Sequence, residues 1–355
     1  MSGLKAVILV GGLGTRLHPL TIDMPKSVLP VLNRPFMEYT FAYLRQFGIE
    51  DIILTLNYLP DVIRSYFGDG SCYGVNLVYC HEKEPMGTAG AIRNAEKYLD
   101  STFVALNGDI FTDLDLNKML ELHRSRGAKT TISLQWVADP SAFGVVETDE
   151  EHKVLRFVEK PPIAEAKTNW INAGIYILEP EVLKYVPENT HYMVEKGLFP
   201  ALLDMGEPVY GYQFRGYWLD MGTPESYFIL NDDILSGMVT SPLSYPAEGN
   251  SVYYKPEAEI HSSVLINGPV MMGNKCRIGK QVSFSGPVVI GNECLIGDNA
   301  VIGNALIWNS VNIGSGASVQ RCIIGNDVEI KMNQHIENCV LTASADAPLN
   351  AVAGK

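Results

Sequence analysis

The richest chemistry in the chain lies in Val10–Thr21, VGGLGTRLHPLT. Glycines at 11, 12 and 14 let the backbone approach an anion closely and turn its N–H groups toward it. Arg16 stands inside this loop, and Lys26 follows ten residues later, fixed by Pro25. A bare glycine loop is equally a tight strand exit. Two cations beside it suit a polyphosphate and the charge that builds on a departing phosphate. Neither common phosphate loop fits, because a dinucleotide fingerprint needs glycine where Leu17 stands and a Walker A loop needs Lys-Ser/Thr where Thr15-Arg16 stand.

Carboxylates supply the other candidates. Asp109 follows an apolar run, Thr102–Leu106, through Asn107-Gly108. Ligands of open α/β sheets bind beyond the carboxyl ends of strands, so Asp109 reads as a divalent-cation ligand or as a helix cap. Asp220, in YWLDMG, reads as a turn carboxylate before Gly222. No Ser-His-Asp or Cys-His arrangement suggests a covalent nucleophile. His261 and His335 come without an acyl-carrier or coenzyme motif and read as surface or corner residues.

These residues need a frame. KAVILV (Lys5–Val10) and DIILTL (Asp51–Leu56) are continuous apolar runs of buried strands. Phe36, Thr40, Tyr43, Leu44 and Phe47 share a helical face that stops at Gly48. Further elements are expected as a helix over Asp61–Phe67, a strand over Val75–Cys80, a helix over Thr88–Leu99 and a strand over Thr102–Leu106. The alternation predicts a mostly parallel sheet covered on both faces. Strands at Thr130–Trp136, Phe143–Glu147, Val154–Val158 and Ile171–Leu178, with few helices between them, extend it into a mixed sheet. Pro224–Leu235 closes this part as a helix.

The C-terminal part repeats. Met272, Ile278, Phe284, Ile290, Ile296 and Ile302 stand six apart; the pattern slips by one and resumes at Ile307, Ile313 and Val319, then slips again to Ile324, Ile330 and Ile336. Six-residue spacing puts one apolar side chain on each face of a triangular coil, a hexapeptide β-helix, with the slips as loops or small register corrections at corners. The expected division is a catalytic domain over 1–235, a Gly/Pro/Ser-rich linker over 236–256, the β-helix over 257–345 and a flexible tail over 346–355. The coil leaves one end and a face to be covered, which predicts a homo-oligomer through the β-helix.

Composition narrows the class. The 355 residues are 46% apolar, enough for one large core and a smaller one, and the net charge of −13 argues against nucleic acid or an anionic membrane as partner. No stretch is long enough to span a bilayer, and the short apolar start is no signal peptide. Six scattered cysteines without a CxxC pair read as reduced, packed thiols of a cytoplasmic protein, with no zinc site.

GGLGTRLHPLT followed by Pro25-Lys26 resembles the signature of the sugar-phosphate nucleotidyltransferase family. The likeness continues through LNGD (Leu106–Asp109), FGVVE (Phe143–Glu147), FVEKP (Phe157–Pro161), NAGIY (Asn172–Tyr176) and WLDMGTP (Trp218–Pro224), in the family's order, into the hexapeptide tail. It implies a Rossmann-like mixed-sheet α/β nucleotidyltransferase domain followed by a left-handed parallel β-helix. It implies an enzyme that joins a nucleoside triphosphate to a sugar 1-phosphate and releases pyrophosphate, by in-line attack of an ionised phosphate oxygen that needs no general base. The family roles fall on Gly11, Gly12, Gly14 and Thr15 for the triphosphate, with Arg16 and Lys26 as catalytic cations. Leu9 would lie under the base, with Glu84, Gly87 and Thr88 beside the nucleoside. Lys160 would orient the sugar phosphate, and Asn107, Gly144, Glu159, Asn172 and Gly174 would line the sugar pocket. Asp109 and Asp220 would hold Mg²⁺. EPMGTAG, FVEKP and the tail most resemble the mannose-1-phosphate guanylyltransferase branch, which implies GTP and mannose 1-phosphate. Branches using thymidine, uridine or adenosine triphosphate with glucose 1-phosphate share the frame. A non-catalytic nucleotide-sugar-binding regulatory subunit would share fold and tail, but it would not need the full set Arg16, Lys26, Asp109, Lys160 and Asp220.

Overall fold

The computed structural model describes residues 3–245, 252–254 and 257–349. Two compact units result, and the chain crosses between them inside the glycine loop. The first comprises the N-terminus to Gly12 with Thr40–Leu219, the second Leu13–Tyr39 with Asp220 onward. Segment 13–39 joins the second unit because its backbone is hydrogen-bonded there: Leu32 N donates to Asn231 Oδ1 at 2.9 Å and Pro30 O accepts from the Tyr227 hydroxyl. In the Gly/Pro/Ser-rich stretch 236–256, residues 246–251 and 255–256 lie outside the described residues.

The first unit is built on one sheet. Its strands are β1 (Lys5–Leu9), β2 (Asp51–Leu56), β3 (Asn76–His81), β4 (Phe103–Asn107), β5 (Thr130–Trp136), β6 (Gly144–Thr148), β7 (Val154–Glu159), β8 (Trp170–Leu178) and β9 (Val209–Phe214). The order is β7-β6-β8-β4-β1-β2-β3, with β5 pairing β8 and β9. β1 lies parallel to β2 and β4, and β2 parallel to β3; the apolar runs of β1, β2 and β4 are buried on both faces, while β3, at the edge, is largely exposed. β8 runs antiparallel to β4 and β5, which makes the sheet mixed. Among the described residues the α-helices are α1 (Phe36–Gln46), α2 (Pro60–Phe67), α3 (Gly87–Asn94), α4 (Leu116–Ser125), α5 (Phe199–Asp204) and α6 (Pro224–Leu235). Expected over Thr88–Leu99, α3 stops at Asn94, and a separate 3-10 turn spans Glu96–Tyr98. Asn94 instead spends its side chain on the end of β3, donating to His81 O at 3.3 Å. Val7, Ile53, Phe103, Ala105, Tyr176 and Phe199 sit in the core between sheet and helices.

In the second unit the hexapeptide periodicity becomes three stacked rows. Met272, Ile290, Ile307 and Ile324 align on one wall. Ile278, Ile296, Ile313 and Ile330 form the next. Phe284, Ile302, Val319 and Ile336 form the third. All strands in these rows are parallel. The sequence slips are corner corrections: where one coil turns through Gly286-Pro287, the next does so with Asn304 alone, at φ 44°. A ladder of asparagines fastens another corner, each side-chain oxygen accepting the N–H one coil below: Asn292 from Asn274 at 2.8 Å, Asn309 from Asn292 at 2.7 Å and Asn326 from Asn309 at 3.0 Å. The expected flexible tail does not begin at Asp346. Asp346–Pro348 pairs antiparallel with Cys339–Leu341, and Leu349 is buried, so an apolar anchor orders the chain there. Residues 350–355 lie outside the described residues.

Candidate functional site

In the first unit, β1 delivers half of the glycine loop. Val10 N donates to Thr55 O at 3.1 Å, and Gly108 N donates to Leu9 O at 2.9 Å, so the ends of β1, β2 and β4 are tied together. This puts Leu9, Gly11, Asn107 and Asp109 at the carboxyl end of neighbouring parallel strands, where an open α/β sheet binds ligands. Gly11 backs onto the Glu82 carboxylate, and Gly12 faces open space.

Glu82 was not among the residues singled out from sequence. It is buried, accepts from Met86 N at 3.0 Å, and burial pushes its carboxyl up from the usual range. Glu84, the acid expected at the base edge, is exposed. Nothing in EKEP distinguishes the two except strand phase, which puts Glu82 beside the buried end of β3.

Gly87 and Thr88 open α3. The Thr88 hydroxyl donates to Glu195 Oε2 at 3.2 Å and accepts from Val194 N at 2.8 Å. Glu195 is a second residue that sequence reasoning missed. It lies in a π-helical turn, Val194–Leu198, a rare geometry that a sequence pattern does not announce. Burial, and then the nearby Glu159 charge, push its carboxyl up. Thr88 therefore ties the start of α3 to the neighbourhood of Glu159 and Lys160.

The remaining sugar-side candidates share strands β6, β7 and β8. Gly144 pairs with Glu159 across β6 and β7. Lys160 follows at φ 48°, its N–H donating to Phe143 O at 3.0 Å and its Nζ 3.8 Å from Glu159 Oε1. In NAGIY, β8 bulges between Asn172 and Tyr176. Gly174 stands there at φ 76°, and a Cβ would lie 2.7 Å from Asn107 Nδ2, so only glycine serves. The Asn172 side chain is fixed on both ends, accepting from Gly174 N at 3.0 Å and donating to Tyr176 Oη at 2.9 Å.

In the second unit, Gly14 O accepts from the Thr21 hydroxyl at 2.7 Å and from Leu17 N at 2.9 Å, folding Thr15–Leu17 into a 3-10 turn that exposes Thr15 and Arg16. Pro25 precedes a second 3-10 turn that starts at Lys26. Both cations meet Asp220: Arg16 Nη2 is 3.7 Å from Oδ2 and Lys26 Nζ 3.6 Å from Oδ1. Gly222 permits this approach, since a Cβ there would lie 2.7 Å from Arg16 Nη2. The loop, the lysine and the second carboxylate, separated by up to about two hundred residues, are thus one cluster.

Among the described residues no group of three His, Cys, Asp or Glu side chains gathers as a protein-only metal cage, and no helix is long and apolar enough to cross a membrane. His261 and His335 are exposed. All six cysteines are free, and four of them are buried.

Known proteins resemble the chain over both parts. The nucleotidyl transferase family profile matches residues 5–237, and that of the EIF2B subunit epsilon LbH domain matches residues 249–347. A mannose-1-phosphate guanylyltransferase of Mycobacterium tuberculosis is 41% identical over 276 residues, 77% of this chain and 76% of the relative. A UTP–glucose-1-phosphate uridylyltransferase of Synechocystis is 36% identical over 320 residues, 86% of this chain and 82% of the relative. HddC from Yersinia pseudotuberculosis, solved also in complex with GMP-PN, aligns with a TM-score of 0.57 at 32% identity, covering 65% of this chain and 99% of its own. With its mixed sheet, its hexapeptide coil and a family match over most of its length, the chain belongs to the nucleotidyl transferase family.

Proposed function

We propose that this enzyme transfers the nucleotidyl group of GTP to mannose 1-phosphate, forming GDP-mannose and releasing pyrophosphate. The observation that carries the reading is the convergence of Arg16 and Lys26 on Asp220 beside the glycine loop. Two held cations match the charge of a triphosphate and of the pyrophosphate that leaves it. The sugar phosphate needs no base to attack, since its oxygen is ionised at neutral pH. Catalysis is then positioning and electrostatics: the N–H groups of Gly11–Thr15 cradle the triphosphate, Arg16 and Lys26 follow its leaving end, and Lys160 steers the incoming phosphate. Glu159, Asn172 and Asn107 take the sugar hydroxyls, while Leu9, Gly87, Thr88 and Glu84 serve the nucleoside.

Asp109 and Asp220 offer hard carboxylate oxygens, a donor set that fits Mg²⁺, which binds through one or two carboxylates and substrate phosphates. Bound there, the ion would neutralise phosphate charge. We assign residues 1–235 to catalysis, 257–345 to a β-helix that assembles a homo-oligomer, and the protein to the cytoplasm, where its free thiols stay reduced.

Guanine and mannose are favoured by the names of the M. tuberculosis relative and of several fungal relatives. The Synechocystis relative keeps UTP with glucose 1-phosphate as the second reading. Steady-state kcat/KM for five triphosphates against mannose, glucose and glucosamine 1-phosphates decides between them. A clear preference for UTP or dTTP with glucose 1-phosphate overturns the substrate pair and leaves the reaction class standing, whereas no pyrophosphate release with any pair overturns the enzyme itself.

A further inference from the structure

One chain of contacts links the β-helix to the loop that carries Lys26. Trp308 sits in the coil, buried, and its Nε1 donates to the Tyr227 hydroxyl at 3.1 Å. The Tyr227 hydroxyl in turn donates to Pro30 O. Pro30 lies four residues beyond Lys26, at the base of a small hairpin pairing Pro30–Val31 with Arg34–Pro35. The tip of that hairpin is held twice more: Leu32 N donates to Asn231 Oδ1 at 2.9 Å, and Asn33 Nδ2 donates to Ile290 O of the coil at 2.7 Å.

The other end of the same frame bears Asp220. Helix α6 starts at Pro224 under a capping box in which Thr223 and Ser226 satisfy each other's backbone N–H. Asp220 precedes that cap by three residues, and Tyr227 stands one turn inside. The coil also grips this first turn through Arg321, paired with Glu225 and lying 5.9 Å over the Phe228 ring. So α6 presents Asp220 at its head and Tyr227 on its flank, while the hairpin presents Lys26 at its head and Pro30 O on its flank. The two pieces of chain thus meet twice, in the Lys26–Asp220 ion pair and in the Tyr227–Pro30 hydrogen bond.

We infer that Tyr227 and Trp308 are positioning residues for Lys26, through which the β-helix sets the placement of a catalytic cation. Lys26 Nζ and Asp220 Oδ1 form an ion pair at 3.6 Å, longer than a hydrogen bond, so the Tyr227–Pro30 contact between the segments that follow them adds to the placement of the pair. Tyr227 and Trp308 are both buried. Their ring contact, 6.5 Å between centroids at 84°, keeps the relay stiff as well as connected. The hexapeptide coil thereby acts on turnover directly, whatever it also does in assembly. This rests on the proposed role of Lys26.

The test uses the full-length protein. Tyr227→Phe keeps the ring and removes both hydrogen bonds; Trp308→Phe keeps an aromatic edge but removes the donor from the coil together with part of the buried ring volume. Ile313→Val, in another wall of the coil, controls for lost stability. Tyr227→Phe is expected to lower kcat about tenfold and Trp308→Phe about threefold, the scale of one or two neutral hydrogen bonds. The KM for the triphosphate should stay within about twofold, because ground-state binding is not what these contacts align. In a Lys26→Ala background both changes should be silent, since the group they position is gone. Unchanged kcat in the folded variants, an equal loss from Ile313→Val at matched Tm, or the same loss with and without Lys26 each overturns the inference. If Lys26→Ala itself leaves kcat intact, the catalytic role of Lys26 falls and takes this with it. A slow Lys26→Ala beside normal Tyr227→Phe and Trp308→Phe removes the relay alone.

Discussion

Replacing Lys26 with alanine removes more than a cation. The Lys26 side chain is 14% exposed and Asp220 25%, so their charges interact through a poorly solvated gap of 3.6 Å. At an effective dielectric near 20 that pair is worth about 4–5 kcal/mol before desolvation is subtracted. Arg16, the other partner of Asp220, is 55% exposed at 3.7 Å, and a pair so wetted contributes about 0–1 kcal/mol. Lys26→Ala therefore removes the less exposed of the two cations at the carboxylate, and leaves only the wetted Arg16 to follow the leaving pyrophosphate. Loss of one preorganised electrostatic donor alone costs about two to three orders of magnitude in kcat. The expected fall in kcat is about a hundredfold or more, with a smaller change in KM. Lys26→Arg should recover part of it, because charge is kept and geometry is not. Pyrophosphate release under saturating triphosphate and sugar 1-phosphate reads the effect. A Lys26→Ala enzyme with normal kcat and only a raised KM would show that Lys26 binds the ground state, and the electrostatic reasoning would fail.

Asp109→Asn and Asp220→Asn should each nearly abolish turnover while the fold persists, and the double variant should be little worse than either, as groups sharing one ion behave; full activity in excess chelator refutes the metal. Burial holds the Glu82 carboxyl above its unfolded value, so the folded state binds its proton more tightly and stability falls as pH rises through the raised value. Glu82→Gln keeps an acceptor for Met86 N without the charge, so its Tm relative to the parent should rise as the pH is raised through the carboxyl's titration; a Tm difference that does not change with pH counts against this. Gly174→Ala should raise the KM for sugar 1-phosphate more than that for the triphosphate, since its Cβ would strike Asn107 in a bulge that accepts only glycine; equal effects on both substrates would remove Asn107 from the sugar side. Full-length protein in light scattering should be a homo-oligomer, and a monodisperse monomer refutes assembly through the coil.

What was readable in the sequence follows from how locally each feature is encoded. β1 and β2 are continuous apolar runs, and the coil repeats one apolar residue every six, so neighbours in sequence announced both. Helix α4 escaped because the inward face of Leu116, Met119 and Leu120 is completed by His123, a buried histidine hydrogen-bonded to Thr131 at 2.8 Å, which reads as polar until its partner is known. The same holds at the site. Arg16 and Lys26 were visible beside their glycines, but Asp220 as their common partner depends on a contact about two hundred residues away. Glu195 had no local signal at all: its significance comes from Thr88 at the start of α3 and from Glu159 on β7, both distant in sequence.

The net charge of −13 set a problem for an enzyme that must bring two phosphate esters together. A surface that acidic repels both at long range, yet a site made simply of many exposed lysines would bind them without regard to position, and salt would screen it. The arrangement around Asp220 resolves this differently. The carboxylate lowers the net charge of the trio to one positive unit, but Arg16 and Lys26 already stand beside it before any substrate arrives, so little realignment would be needed when charge moves onto pyrophosphate. The same carboxylate oxygens suit a divalent cation that would enter with the triphosphate, restoring positive charge only when the substrate is present. On the proposed assignment such a site would favour anions that bring their own counter-charge, so raising ionic strength should weaken triphosphate binding far less than removing the divalent cation does.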